Sequence, residues 1–338
     1  MADTALKFPE GYYVFDKSGM IKVLDDFPNQ VREAHKLGGE VSFPGITNIY
    51  YFGMGGSAIA GDLLRSLLYS SAIPITVIRD YDLPKHVSDK SLLIFSSYSG
   101  NTEETLSCYK HAVRSFKNIL SISSGGKLEE MAKMNRTQHI LIKKGLQPRN
   151  ALAYQFFPIL KVLEKSGIIA AMFEDVSDLI KSLDVIKISK MAVELSEKLK
   201  DKIPLIYSSD RFYPIAYRWK TQFNEGSKVM AFSHCFPELN HNELMGYTLV
   251  KGDFYCIILK NDEDHRRIMK RMELTKQVIK KAGVEVTEIA LKGKTLTKIF
   301  TTILIGDYTS YYLGLRYKVD PAPVRLIEHF KKEMGPFI

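Results

Sequence analysis

Short apolar runs that end in small residues and lead straight into amphipathic stretches recur through the first half of this chain, and few folds accept that pattern. Residues 46–52 (ITNIYYF) are β-prone. Gly53-Met54-Gly55-Gly56 follows, and then residues 57–70 (SAIAGDLLRSLLYS) with apolar positions at helical spacing. Residues 91–97 (SLLIFSS), 98–102 (YSGNT) and 103–116 (EETLSCYKHAVRSF) repeat the order of strand, loop and helix. Residues 74–80, 118–124 and 139–144 supply further strands. Continuous apolar strands alternating with amphipathic helices specify a parallel sheet with helices on both faces, because such a sheet leaves neither face to water. Near residue 150 the character changes to a long helical region running to about Asp201. The first pattern then restarts with strand 202–210, helix 212–228, strand 253–260, a charged helix through Lys281 and strand 284–291. An apolar helix over 298–317, a turn at 319–323 and a last helix at 324–334 complete the chain. The expected architecture is α/β with two domains, 1–152 and 153–338. A length of 338 residues suits two domains at ~100–200 residues each.

Two of the loops carry chemistry. Gly53-Met54-Gly55-Gly56-Ser57-Ala58 lies between a strand and a helix, where glycine lets backbone approach a ligand and the helix N-terminus offers N–H groups to an anion. The string fits G-x-G-x-x-[GA], and Asp80 follows near the end of the next strand, so a nicotinamide dinucleotide is one reading. The second loop adds three spaced hydroxyls, Ser97, Ser99 and Thr102, at the start of another helix. A phosphate monoester needs such a cup of hydroxyl and backbone donors. Helix capping alone would use Ser99 or Thr102 and leave the others unexplained. Both loops fall at carboxyl ends of strands, where α/β sheets bind ligands.

Composition narrows the partners. No apolar run reaches the ~20 residues that cross a bilayer, and the first residues lack signal-peptide features, so a cytoplasmic protein with no membrane partner is expected. Cys108, Cys235 and Cys256 form no CxxC pair, which removes a cysteine-built zinc ribbon and fits a reducing compartment. The net charge of +9 comes from 47 Lys plus Arg against 38 Asp plus Glu. Basic residues are interleaved with acidic ones and no aromatic-basic stripe accompanies them, so nucleic acid is not an expected partner. His234, Cys235, Glu238, His241 and Glu243 cluster in sequence, but at spacings of no standard zinc motif; no metal site and no cofactor are expected.

FGMGGSAIAGD together with SSYSGNTEET resembles the sugar isomerase (SIS) fold. With RNALAY, QFNEGSK, NHNE and DPAPVRLIEHFKK, the whole chain is similar to the bifunctional phosphoglucose/phosphomannose isomerases. That resemblance implies two SIS-type domains, each a three-layer α-β-α sandwich, and a sugar phosphate as substrate. It implies that Gly56, Ser57, Ser97, Ser99 and Thr102 hold the phosphate, and that Arg149 stabilises enediolate charge. It further implies Glu225 as the catalytic base, His241 as the ring-opening histidine contributed across a homodimer interface, and Lys331 as a helper at the ring oxygen. Lys332 stands next to Lys331 and competes for that role. A carboxylate can take a proton beside a carbonyl and return it one carbon along, and an imidazole donates and accepts protons near neutrality. The rival readings are a non-catalytic sugar-phosphate sensor, which usually carries a DNA-binding module absent before the first strand here, a nicotinamide-dependent enzyme, and glucosamine 6-phosphate chemistry on the same fold.

Overall fold

The computed structural model describes residues 8–336, which divide into two compact units: residues 26–180, and residues 8–25 together with 181–336. The first unit contains α2 (Phe27–Ala34), after α1 (Met20–Asp25) of the other unit, and then β1 (Asn48–Phe52), α3 (Gly55–Leu67), β2 (Ile75–Ile78), β3 (Ser91–Ser96), α4 (Glu103–Ala112), β4 (Ile119–Ser123), α5 (Gly126–Asn135), β5 (Gln138–Leu141) and α6 (Leu152–Lys165). The five strands form one parallel sheet in the order β2-β1-β3-β4-β5, with Tyr50 paired to Leu93 and Leu93 to Ile119. Alternate residues of these strands face opposite ways. Tyr50, Phe52, Leu93 and Phe95 pack with Leu106 and Tyr109 of α4 and Leu128 of α5, while α3 and α6 pack on each other. The chain moves from β1 to β2 on one side and to β3 on the other, so the direction of winding reverses at β1, the kind of place where open α/β sheets bind ligands outside the strand ends.

The second unit follows α7 (Phe173–Ser182) with α8 (Val185–Lys198), β6 (Ile203–Ser209), α9 (Tyr213–Gln222), β7 (Phe232–Phe236), β8 (Phe254–Asn261), α10 (Arg266–Lys281), β9 (Glu285–Leu291), α11 (Thr295–Arg316) and α12 (Arg325–Glu333). Its sheet is again parallel, in the order β7-β6-β8-β9. Leu205, Tyr207, Cys256 and Ile258 pack on Met272 and Ile279 of α10. α9 and α11 are joined through Trp219, whose Nε1 donates to the Thr302 carbonyl at 2.9 Å, and through the buried Arg218–Asp307 pair at 2.6 Å. α11 is long and apolar because protein surrounds it; among the described residues no helix is long and apolar enough to cross a membrane.

The units divide the chain differently from the expected 1–152 and 153–338. α6 is buried along nearly its whole length and packs on α2 and α3, which carries residues 153–180 into the first unit. Residues 8–25 join the second unit because they pack on α11, where Tyr311 donates to Asp16 at 3.0 Å and Tyr308 to Asp25 at 2.6 Å. The long helical region also breaks before α8, where the Asp184 carboxylate accepts from the Lys187 N–H at 3.0 Å and caps the helix. β7 has no counterpart in the sequence reading. It is an edge strand with only Phe236 buried, so its run FSHCF lacks the apolar continuity of a central strand.

Candidate active site

In the first unit the loops after β1 and β3 meet at the reversal of the sheet. Met54 immediately precedes α3 and Thr102 precedes α4, and neither N-terminus is capped by a side chain. No side chain thus competes with an anion for the first-turn N–H groups of the two helices, although the Ser57 N–H donates to the Met54 carbonyl at 2.9 Å, and the helix dipoles favour negative charge there. The hydroxyls are used for other things. Ser97 Oγ and Thr102 Oγ1 lie 2.8 Å apart, and the Ser99 Oγ accepts the Asn101 N–H at 3.2 Å. Ser57 is buried, and its Oγ accepts from the Tyr98 N–H at 3.1 Å and from Gln155 Nε2 at 3.0 Å. With both lone pairs occupied, its remaining capacity is to donate. Ser97 is buried behind the cup and Ser99 is exposed at its rim.

Arg149 belongs to the same constellation. It sits buried in the short turn Pro148–Asn150 ahead of α6, directly against Gly56. A Cβ at Gly56 would stand 3.0 Å from the Arg149 Cα and 3.1 Å from the Pro148 carbonyl oxygen. Glycine here is what lets the arginine turn close on the loop. The first unit thus brings together Gly56, Ser57, Ser97, Ser99, Thr102 and Arg149.

Sequence reasoning passed over three contributors to this site. Tyr98 and Gln155 tie Ser57 in place, and Tyr98 OH also accepts from the Leu146 N–H at 2.8 Å and donates to the Lys143 carbonyl at 3.0 Å. The loop Gly125-Gly126 after β4 braces the cup from the other side. Ser124 N–H donates to the Tyr98 carbonyl at 2.9 Å, Leu128 N–H to the Gly100 carbonyl at 2.9 Å, and Lys127 N–H to Asn101 Oδ1 at 3.1 Å. The signal for that loop was present: residues 121–127 (SISSGGK) repeat the strand, small-residue, helix order of the other two.

In the second unit α9 ends in a wide turn, Phe223–Ser227, whose hydrogen bonds span one residue more than those of an α-helix. Such insertions are frequent at functional sites. The turn is fixed to α11, where Ser310 Oγ donates to the Gln222 carbonyl at 2.6 Å and Ser227 Oγ to the Ser310 carbonyl at 2.8 Å. Glu225, half-buried, lines a cavity of about 780 Å³ with Phe15, Lys228, Lys318, Asp320 and Arg325. Lys331 is on α12 and His241 ends the short turn Glu238–His241; both are exposed, and neither lines that cavity.

Four of the five potential metal ligands have other partners, Cys235 Sγ lying 3.8 Å from Asp210 Oδ1. His234 Nδ1 accepts from the Cys235 N–H at 2.8 Å, Glu238 accepts from Asn242 Nδ2 at 2.7 Å, and Glu243 takes the Tyr207 hydroxyl. Burial and the neighbouring Asp210 push the Cys235 thiol up to about 11. Among the described residues no three His, Cys, Asp or Glu side chains are grouped closely enough to hold a metal ion.

Two helix-flanked parallel sheets, one of them with hydroxyl-bearing loops at two uncapped helix ends, define a protein of the sugar-isomerase fold. The C-terminal domain of glucosamine-fructose-6-phosphate aminotransferase from Francisella tularensis shares it, with a TM-score of 0.71 at 16% identity over 90% of this chain and 98% of that one. A family model described as the bacterial phospho-glucose isomerase C-terminal SIS domain matches residues 188–334. The chain is 39% identical over 335 residues to the bifunctional phosphoglucose/phosphomannose isomerase of Caldicellulosiruptor bescii, covering 94% of this chain and 99% of that one. It is 38% identical over 286 residues to the protein of the same description from Thermoplasma volcanium, covering 84% and 90%. The chain belongs to the family of bifunctional phosphoglucose/phosphomannose isomerases.

Proposed function

We propose that this chain interconverts glucose 6-phosphate and mannose 6-phosphate with fructose 6-phosphate by proton transfer through a cis-enediol. The observation that carries the reading is the cup of the first unit, whose two helix N-termini lack side-chain caps while Ser57 retains a proton to donate. That is the donor set of a phosphate monoester rather than of a capped structural turn. On this reading Gly56, Ser57, Ser97, Ser99 and Thr102 bind the phosphate, directly or by holding the loop. Glu225 moves a proton between carbons 2 and 1, and Arg149 stabilises the charge that develops on the enediolate. His241 of a second copy opens the sugar ring, with Lys331 at the ring oxygen, so the working form is a homodimer. Rotation about the bond between carbons 2 and 3 lets one base serve both epimers. No cofactor is required, and the cytoplasm is the compartment that supplies such substrates.

The test is a coupled assay of purified protein with glucose 6-phosphate and, separately, mannose 6-phosphate, each in excess EDTA. Fructose 6-phosphate from both is expected. Product from one alone would narrow the activity to that epimer. Activity lost in EDTA and restored by a divalent cation would overturn the metal-independent mechanism. Binding of the sugar phosphate without product would replace the enzyme by a sensor.

A further inference from the structure

Lys228 closes the Glu225 turn, and its backbone lies in the left-handed region at φ +63°. Glycine adopts that conformation freely, whereas a lysine adopts it at a cost, so the side chain is the place to look for a compensating role. The ammonium group donates to three backbone carbonyls: that of Glu225, that of Pro321 at 3.3 Å and that of Pro323 at 2.8 Å. An ammonium has three N–H donors, and this arrangement gives each an acceptor with the strength of charge-assisted bonds. The acceptors come from two segments far apart in sequence. One is the turn that holds the carboxylate, and the other is the Pro-Ala-Pro stretch that launches α12.

α12 follows Val324 without a side-chain cap, and every residue of the helix, Arg325–Glu333, is exposed. Its direction is set by the preceding turn, where Val319 N–H donates to the Gly314 carbonyl at 3.1 Å and Ala322 N–H to Asp320 Oδ1 at 3.0 Å. Prolines at 321 and 323 restrict the backbone between them, so two carbonyls are presented to one ammonium with little freedom left to lose. Val324, Arg325, Leu326 and Ile327 then form one wall of the cavity that Glu225 lines.

We propose that Lys228 is a positioning residue, whose ammonium locks the Glu225 turn to the 321–323 segment and so fixes the carboxylate against the cavity wall at the start of α12. The proposal rests on the reading of Glu225 as the base. It acts through geometry alone, since a misplaced base loses turnover without a change in how the phosphate is held. Lys228→Gly relaxes the backbone while removing the ammonium, and Lys228→Met keeps the aliphatic stem. Lys228→Arg keeps a cation with several donors. Amide hydrogen exchange over residues 319–328 and 223–229 and the separate values of kcat and KM for fructose 6-phosphate are measured on the full chain. In the glycine and methionine variants we expect faster exchange in both segments, kcat lowered about 10- to 100-fold and KM changed less than about threefold, with the arginine variant recovering most of the loss. Unchanged exchange overturns the lock whatever happens to kcat, and faster exchange with kcat held within about twofold overturns the positioning role. Wild-type protein without isomerase activity would overturn the functional reading alone, because exchange decides the lock by itself.

Discussion

His35 shows how one side chain without a proposed role in the chemistry can set a pH limit. Both of its ring nitrogens are buried without a hydrogen-bond partner, and the ring meets Phe157 edge-on with centroids 6.5 Å apart. Burial pulls its pKa below the ordinary histidine value, opposed by the charge of Glu164 and helped by that of Lys161; burial lowers His139 likewise. A base whose folded pKa is depressed leaves the unfolded chain binding more protons once the pH drops below ~6.5, so stability is full above that point and declines as the pH falls toward the folded pKa. His35→Leu removes the buried base and adds apolar contact. We expect its urea midpoint to match or exceed the wild-type value at about pH 8 and to fall less steeply toward about pH 5. The slope would lose at most one proton's share, ~1.4 kcal/mol per pH unit, and less to the extent that water reaches the half-buried ring. Equal slopes in the two proteins would show that His35 is not protonated differently on unfolding.

At the scale of elements, the cup is two interlocked loops rather than one. Gly100 has φ +70°, and a Cβ there would stand 1.7 Å from the Gly125 carbonyl oxygen; at Gly126, φ +75°, one would stand 2.5 Å from the Ser99 carbonyl oxygen. Gly100→Ala therefore adds about 1–2 kcal/mol of left-handed strain to a backbone collision that only a shift of the 98–102 loop can relieve. We expect it to lower the thermal midpoint and to weaken binding of inorganic phosphate about tenfold or more, measured by calorimetry. Wild-type affinity in a folded variant would show that the loop position does not matter to the anion. Much of this was legible in the sequence. The strands β1, β3, β4, β6 and β8, the two loops and the helices after them followed from apolar periodicity and small-residue punctuation, because central parallel strands are apolar throughout. β7 was not legible, since an edge strand buried on one side mixes Ser233 and His234 with its aromatic residues. The domain boundary was not legible either, since nothing in the composition of α6 tells which sheet it will cover. Glu225, His241 and Lys331 came from resemblance alone, because a single carboxylate, imidazole or ammonium has no local pattern.

At the scale of the whole molecule, the proposed chemistry asks for groups that one chain does not gather in the cavity that Glu225 lines. His241 and Glu225 belong to the same unit, yet His241 is exposed on its own short turn and absent from that cavity's walls. If the histidine serves a second copy, each complete site takes Glu225 from one chain and His241 from the other, and the two sites of a twofold-symmetric dimer are equivalent. Glu225→Gln alone should then lower kcat by ~10²–10⁴, the range for loss of a positioned acid or base, and His241→Ala should lower it through ring opening when a closed sugar is the substrate. Mixed and allowed to exchange subunits, the two variants form heterodimers in which one site carries both substitutions and the other carries neither. Statistical exchange makes about half of the dimers mixed, each with one intact site, so activity should rise to about a quarter of wild type, far above either variant alone. A histidine acting within its own chain gives no intact site in any combination, and the mixture would then show only the average of the two weak parents. Complementation therefore separates a shared site from a self-contained one, whichever surfaces the two copies bring together.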